Sequence, residues 1–160
     1  MNKEELFLSD FNKMLELRRA LGKLNRRAHL PDYHYTEILC ISLIGTLPEA
    51  NVTKLSEASY MTRGGISKTI KKLINYGVVE SYQKPENKKE IYFELTDKGK
   101  EIFTKNEQFT EAQEDIYKSV FNELAEEEKN SVIKFLKTLE IRLMEEIDKS
   151  ELLNEEFENE

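Results

Sequence analysis

Cysteine is almost missing from this 160-residue chain: Cys40 stands alone, which excludes an intrachain disulfide and any cysteine-based metal cluster within one chain. Long apolar runs are missing as well. Nowhere do about 18 uncharged apolar residues follow one another, the length a helix needs to cross a bilayer. The first residues, Met1-Asn2-Lys3-Glu4-Glu5, place no apolar stretch behind a basic one. The expectation is a soluble, cytoplasmic protein with no membrane partner. No nucleophile motif, phosphate loop or dinucleotide fingerprint occurs, and Gly64-Gly65 lacks the preceding strand that a phosphate loop requires. An enzyme is therefore not expected, and no cofactor is implied. His29 and His34, with Glu37 and Cys40 nearby, fit no usual ligand spacing, so no metal site is expected. Cys40 lies in the apolar run Ile38 to Ile44, where burial keeps a thiol unreactive.

The net charge of −7 argues against a nucleic-acid binder until it is divided along the chain. Residues 1–30 carry seven Lys and Arg against four Asp and Glu, residues 31–53 none against three, residues 54–100 ten against six, and residues 101–160 seven against eighteen. A polyanion is drawn to the third of these segments and repelled by the last.

From Leu6 to Ala28 the apolar residues Phe7, Phe11, Met14, Leu15, Leu21, Leu24 and Ala28 recur at helical spacing. Leu30-Pro31-Asp32 breaks that pattern, and a mostly buried helix is expected from Tyr35 to Leu47, ended by Pro48. Asn51 can cap a short helix from about Val52 to Ser59 with Leu55 and Ala58 inward, and Tyr60-Met61 form a turn. Thr62 can cap a second helix, Arg63 to Tyr76, that buries Ile66, Ile70, Leu73 and Ile74 and stops at Gly77. Two helices so closely joined are a helix-turn-helix. Val78 to Tyr82 and Ile91 to Leu95 read as strands around the turn Lys84-Pro85-Glu86-Asn87. Thr96 caps a helix from about Asp97 to Asn122, and a last helix runs from about Glu126 to Leu153.

The fold expected is mainly α with a small β-hairpin wing. Its parts are an N-terminal dimerisation helix at 1–30, a winged helix-turn-helix domain at 34–100, C-terminal dimerisation helices at 101–153 and an acidic, irregular tail at 154–160. The long amphipathic helices need a cover for their apolar stripes, and a second copy of the chain is the economical one. A symmetric dimer also sets two heads about 34 Å apart, one turn of DNA.

On the helix from Arg63, the residues opposite its apolar stripe include Gly64, Ser67, Lys68 and Lys71. Arg63, Ser67 and Lys68 occupy the early turns that reach base edges, while Lys71 and Lys72 suit phosphates. Lys54 and the wing residues Lys84, Lys88 and Lys89 add phosphate and minor-groove contacts. Gly64 and Gly65 are costly in a helix, and either their first-turn position excuses them or the bare backbone is needed for close approach to DNA.

This order of elements resembles the MarR family (multiple antibiotic resistance regulators) over nearly the whole chain. The resemblance rests on Leu55-Ser56-Glu57-Ala58, Met61, the run Ile66 to Val79, Lys84-Pro85-Glu86-Asn87-Lys88-Lys89 and Leu95-Thr96-Asp97-Lys98-Gly99. It implies a homodimer joined through the first and last helices that binds double-stranded DNA at palindromic operators as a repressor. It also implies a response to a small lipophilic or aromatic effector, for which Phe11, Leu15, Tyr33, Tyr35 and Leu39 are the candidate walls. Two departures stand out. Gly64-Gly65 replaces the family's usual Ser-Thr, and Asn87-Lys88-Lys89 replaces a wing Asp-x-Arg, which removes an ion pair at the tip and predicts a mobile wing. The competing reading is a winged-helix interaction module that has lost DNA binding and acts by pairing with another regulator or enzyme.

Overall fold

A computed structural model describes residues 2–158, with side chains as far as 150. In chain order the elements are α1 (Lys3–His29), α2 (Tyr35–Thr46), α3 (Val52–Ser59), α4 (Arg63–Asn75), β1 (Val79–Lys84), β2 (Asn87–Leu95), α5 (Asp97–Asn122) and α6 (Glu126–Glu158). The chain is mainly helical with one antiparallel hairpin, as expected. Packing divides it into two compact units, residues 1–111 and 112–160. Among the described residues no helix is long and apolar enough to cross a membrane.

Local chemistry sets the helix starts. Asn2 and Glu5 form a reciprocal capping box, each side chain accepting the other's backbone N–H at 2.8–2.9 Å, so α1 begins three residues ahead of its apolar period. Asn51 accepts the Lys54 N–H at 2.9 Å and Thr62 accepts the Gly65 N–H at 3.1 Å, which places the starts of α3 and α4. At the far end of α4, Gly77 takes φ +68°, a left-handed conformation that suits glycine.

The core of the first unit sits where α2, α3, α4 and the hairpin meet. Ile41, Leu55, Ile66, Leu73 and Val78 are fully buried there, joined by Ile38, Cys40, Ile44, Ile70, Phe93 and Leu95. Two inward expectations fail. Ile74 is 38 % exposed and Ala58 is exposed, because each lies beside the buried stripe of a helix that packs on one side only. The Phe93 N–H donates to the Ala50 carbonyl at 2.9 Å and ties β2 to the segment ahead of α3.

The hairpin is longer than expected. Its register pairs Val79 with Leu95, Tyr82 with Tyr92 and Lys84 with Asn87, leaving only Pro85 and Glu86 in the turn. Its base is held at a single point. Thr96 donates its hydroxyl to the Gly77 carbonyl at 2.8 Å and accepts the Gly99 N–H at 3.1 Å, so one side chain caps α5 and ties it to the end of α4. A methyl at Gly99 would run into the Val78 carbonyl.

In the second unit, the Glu128 carboxylate accepts the Ala125 N–H at 2.8 Å at the start of α6, and no described residue from 112 to 150 is buried. Helix α1 of the first unit likewise has no buried residue. Helix α6 is assigned through Glu158, past the expected end at Leu153; the side chains of the expected irregular tail, and residues 159 and 160 entirely, lie outside the described residues.

Two glycines on one framework should respond oppositely to alanine. Gly99→Ala meets backbone and should cost about 1–3 kcal/mol by overpacking, whereas nothing lies within 4 Å of a methyl at Gly64. Gly64→Ala should therefore stabilise by up to about 1 kcal/mol through helix propensity. Urea denaturation of both variants checks the pair, and a destabilised Gly64→Ala would refute the second half.

Candidate nucleic-acid interface

Helix α4 turns one stripe inward and the rest outward. With Ile66, Ile70 and Leu73 at 0–2 % exposure, the helical period leaves Arg63, Gly64, Ser67, Lys68 and Lys71 exposed, as their spacing predicts. Gly65 is half-buried above Thr62, its cap. The hairpin follows after Gly77 and Val78, and at its tip Lys88 and Lys89 are exposed. Seven of the ten candidate contact residues thus face solvent on α4 and the wing.

The other three are engaged within the protein. Lys54 donates to the Pro48 carbonyl at 2.8 Å. Lys84 pairs with the Glu49 carboxylate and lies 5.2 Å from the Tyr92 ring centroid. That hydrogen bond holds Glu49 below the usual carboxylate range and Lys84 above the usual amine range. Lys72 pairs with Glu37 at 2.5 Å and sits 5.5 Å from the Tyr76 ring centroid. Tyr76 in turn meets Tyr33 edge to face at 6.2 Å.

Glu37 is the one charged residue in the core among the described residues, 2 % exposed. One of its oxygens takes Lys72 and the other accepts the His34 N–H at 2.8 Å. Burial alone would push its carboxyl up, but the bonds from Lys72 and His34 and the charge of Lys72 outweigh burial and hold it below its ordinary value. Lys72 is held above its ordinary value, chiefly by the bond to Glu37. Beside this pair, burial followed by the negative charge of Glu37 pushes the Cys40 thiol up to about 11, so it stays protonated at neutral pH.

Local contacts join the residues at and below the wing tip. Gln83 donates to the Lys88 carbonyl at 2.8 Å, Asn87 accepts the Lys89 N–H at 3.2 Å, and Tyr82 stacks on Tyr92 at 5.5 Å. Of the candidate effector walls, Phe11, Leu15, Tyr33 and Leu39 are half-buried, while Tyr35 is 65 % exposed. Phe11 stacks on Phe7 at 5.5 Å and Tyr33 meets Tyr76.

Sequence reasoning overlooked Glu37 and Glu49 as lysine partners. A signal existed for the first: Glu37 is the one acidic residue inside the apolar run from Tyr35 to Leu47, and a buried carboxylate demands a cation. Nothing comparable marks Glu49, which is half-exposed.

The shifts at the Glu37–Lys72 pair fix a pH window. A lowered carboxyl contributes stability that is present above the ordinary carboxylate range and is lost as pH falls through its folded value; a raised amine loses its share only as pH rises past the ordinary lysine range. Glu37→Gln should therefore be less stable than the parent at neutral pH, with the gap closing under acid. Urea midpoints across that range check this, and a gap that does not vary with pH would exclude a charge-based contribution.

Residues 34–91 match the MarR family. YvnA, an HTH-type transcriptional regulator of Bacillus subtilis, is 30 % identical over 104 residues, which cover 65 % of this chain and 66 % of YvnA. PchR, another HTH-type transcriptional regulator of Bacillus subtilis, is 33 % identical over 104 residues, 65 % of this chain and 62 % of PchR. The match thus spans just under two thirds of these relatives' length. Among solved structures, Streptococcus pneumoniae FabT in complex with DNA superposes with a TM-score of 0.71 at 23 % identity, over 89 % of this chain and 95 % of that one. The adhesin competence repressor of Streptococcus pyogenes superposes with a TM-score of 0.70 at 18 % identity, over 89 % and 98 %. These likenesses establish the fold, and within it residues 34–91, which hold the helix-turn-helix and most of the wing, are similar to the MarR family.

Proposed function

We infer that this protein is a DNA-binding transcriptional regulator rather than an enzyme, working as a homodimer on a palindromic operator. The observation that carries the reading is the exposed row Arg63, Ser67, Lys68 and Lys71 on α4, set opposite a fully buried stripe and followed by a wing with Lys88 and Lys89 at its tip. Arg63, Ser67 and Lys68 are assigned to base edges, with Gly64 leaving the backbone bare beside them. Lys71, Lys88 and Lys89 are assigned to phosphates and the minor groove. Lys54 and Lys84 hold exposed partners, Pro48 and Glu49, which a phosphate can replace. The names of the relatives, all transcriptional regulators, support the same reading.

Dimerisation is supported by the apolar side chains exposed on the long helices: Leu6, Met14, Leu17 and Leu24 on α1, and Ile116, Val120, Leu136, Ile141 and Leu143 in the second unit. Exposed apolar surface on this scale is a demand for a partner. The role proposed is that of a repressor, an operator-bound dimer obstructing transcription, with release by a lipophilic effector near Phe11, Leu15, Tyr33, Tyr35 and Leu39.

Lys68→Glu should abolish binding to a duplex that the parent selects from a random pool, while the dimer, followed by sedimentation, stays intact. Neutralising any one lysine that binds a phosphate should flatten the slope of log affinity against log salt by about 0.9. Unchanged affinity in Lys68→Glu would defeat the assignment. Absence of any binding to random duplex at low salt would favour an interaction module instead.

A further inference from the structure

We propose that Glu37 is a positioning residue for DNA binding: it takes up the charge of Lys72 to fix α4 against the start of α2, so Lys72 orients the recognition helix instead of contacting phosphate. The proposal rests on the DNA-binding reading above.

The geometry carries it. A single carboxylate, 2 % exposed, has both oxygens committed, one to Lys72 of α4 at 2.5 Å and one to the His34 N–H at the head of α2 at 2.8 Å. The ammonium is bracketed on its other side by the Tyr76 ring at 5.5 Å, and Tyr76 meets Tyr33 of the segment that precedes α2. Two independent contacts therefore join residues 33–37 to the last turn of α4.

Competition with DNA is unequal. If Lys72 swung out to a phosphate, Glu37 would be left as a buried carboxylate without its cation, a penalty larger than an exposed ion pair returns. Lys71, exposed and with no such carboxylate to abandon, meets phosphate at no comparable cost. Position along the helix agrees, since Lys72 lies in the last turn, behind the early turns that approach base edges. Loosening this tie should blur the angle at which Arg63, Ser67 and Lys68 meet the bases while leaving the general attraction of the cationic surface in place.

The test uses the full chain and two probes: a duplex selected by the parent protein from a random pool, and a random-sequence duplex of the same length. Affinities for both are measured against salt for the parent, Lys72→Met, Lys72→Arg, Glu37→Gln and Lys71→Met. Lys72→Met and Glu37→Gln should lower the preference for the selected duplex by about tenfold, and Lys72→Met should leave the salt slope on random duplex unchanged. Lys72→Arg, which restores the cation, should recover the preference, and Lys71→Met should flatten the slope by about 0.9. If Glu37→Gln fails to fold, the Lys72 variants, at a half-exposed side chain, carry the test alone. A slope flattened in Lys72→Met as much as in Lys71→Met would make Lys72 a phosphate contact and overturn the proposal, as would a Lys72→Met protein with both slope and preference intact. A parent protein that binds neither probe in a salt-dependent way would overturn the DNA-binding reading itself, and that result is visible before any variant is made.

Discussion

Burial of Ile66, Ile70 and Leu73 against α2 and α3 is the constraint from which the remaining geometry follows. Each fully buried aliphatic side chain is worth about 1.5–3 kcal/mol of transfer free energy, and a helix cannot rotate such a stripe toward water without losing all of it together. The stripe therefore fixes the azimuth of α4, and the azimuth decides that Arg63, Ser67, Lys68 and Lys71 face outward. The same stripe ends at Gly77, whose left-handed turn delivers Val78 to the core and starts the hairpin. Thr96 then bonds back to Gly77 and opens α5. Helix α4, the wing and the following helix thus share one short junction.

Within that frame, charges separated along the sequence meet in space. The acidic segment 31–53 holds Asp32, Glu37 and Glu49 with no Lys or Arg, and two of those three carboxylates pair with Lys72 and Lys84 of the basic segment. The small acidic stretch that precedes the basic one along the chain is thus, in the folded unit, mostly spent on two of the basic segment's lysines. Of the basic segment, Arg63, Lys68 and Lys71 on α4 and Lys88 and Lys89 at the wing tip stay exposed, as do Lys98 and Lys100 at the start of α5. A field built this way is more localised than the segment totals imply, since charges near a counter-ion contribute little at a Debye length of about 8 Å.

Local rules carried most of the fold. The bounds of α3 and α5 follow from Asn51 and Thr96 as caps, and the outward row of α4 follows from its period alone. They stopped where the signal is not local. Asn2 and Glu5 extend α1 beyond its apolar pattern because a capping box needs no apolar residue. Gln83, Lys84 and Asn87 to Glu90 have little strand preference, yet they extend the strands, because a two-residue turn sets Lys84 opposite Asn87 and a shift in register then leads to the Tyr82–Tyr92 pair. Both lysine-to-carboxylate ties join residues far apart in sequence, 35 positions for Lys84 and Glu49, so no periodicity announces them. The candidate interface was accordingly legible as a face and illegible as a network: exposure could be read from spacing, whereas the commitment of Lys54, Lys72 and Lys84 could not.

That division bears on how a protein with these residues could tell one DNA sequence from another. Its outward row holds one guanidinium, Arg63, able to grip guanine through two parallel bonds; Gly64 offers no side chain, and Lys88 and Lys89 at the wing are hydrated point charges. An interface with many forked contacts tolerates a loosely held helix, because each contact enforces its own geometry. One with few must obtain its discrimination from where the helix is held. On the proposed reading, sequence preference here rests less on the number of groups that touch bases than on the rigidity behind them, and that rigidity comes from a buried apolar stripe on one side of α4 and a carboxylate-to-lysine tie at its end.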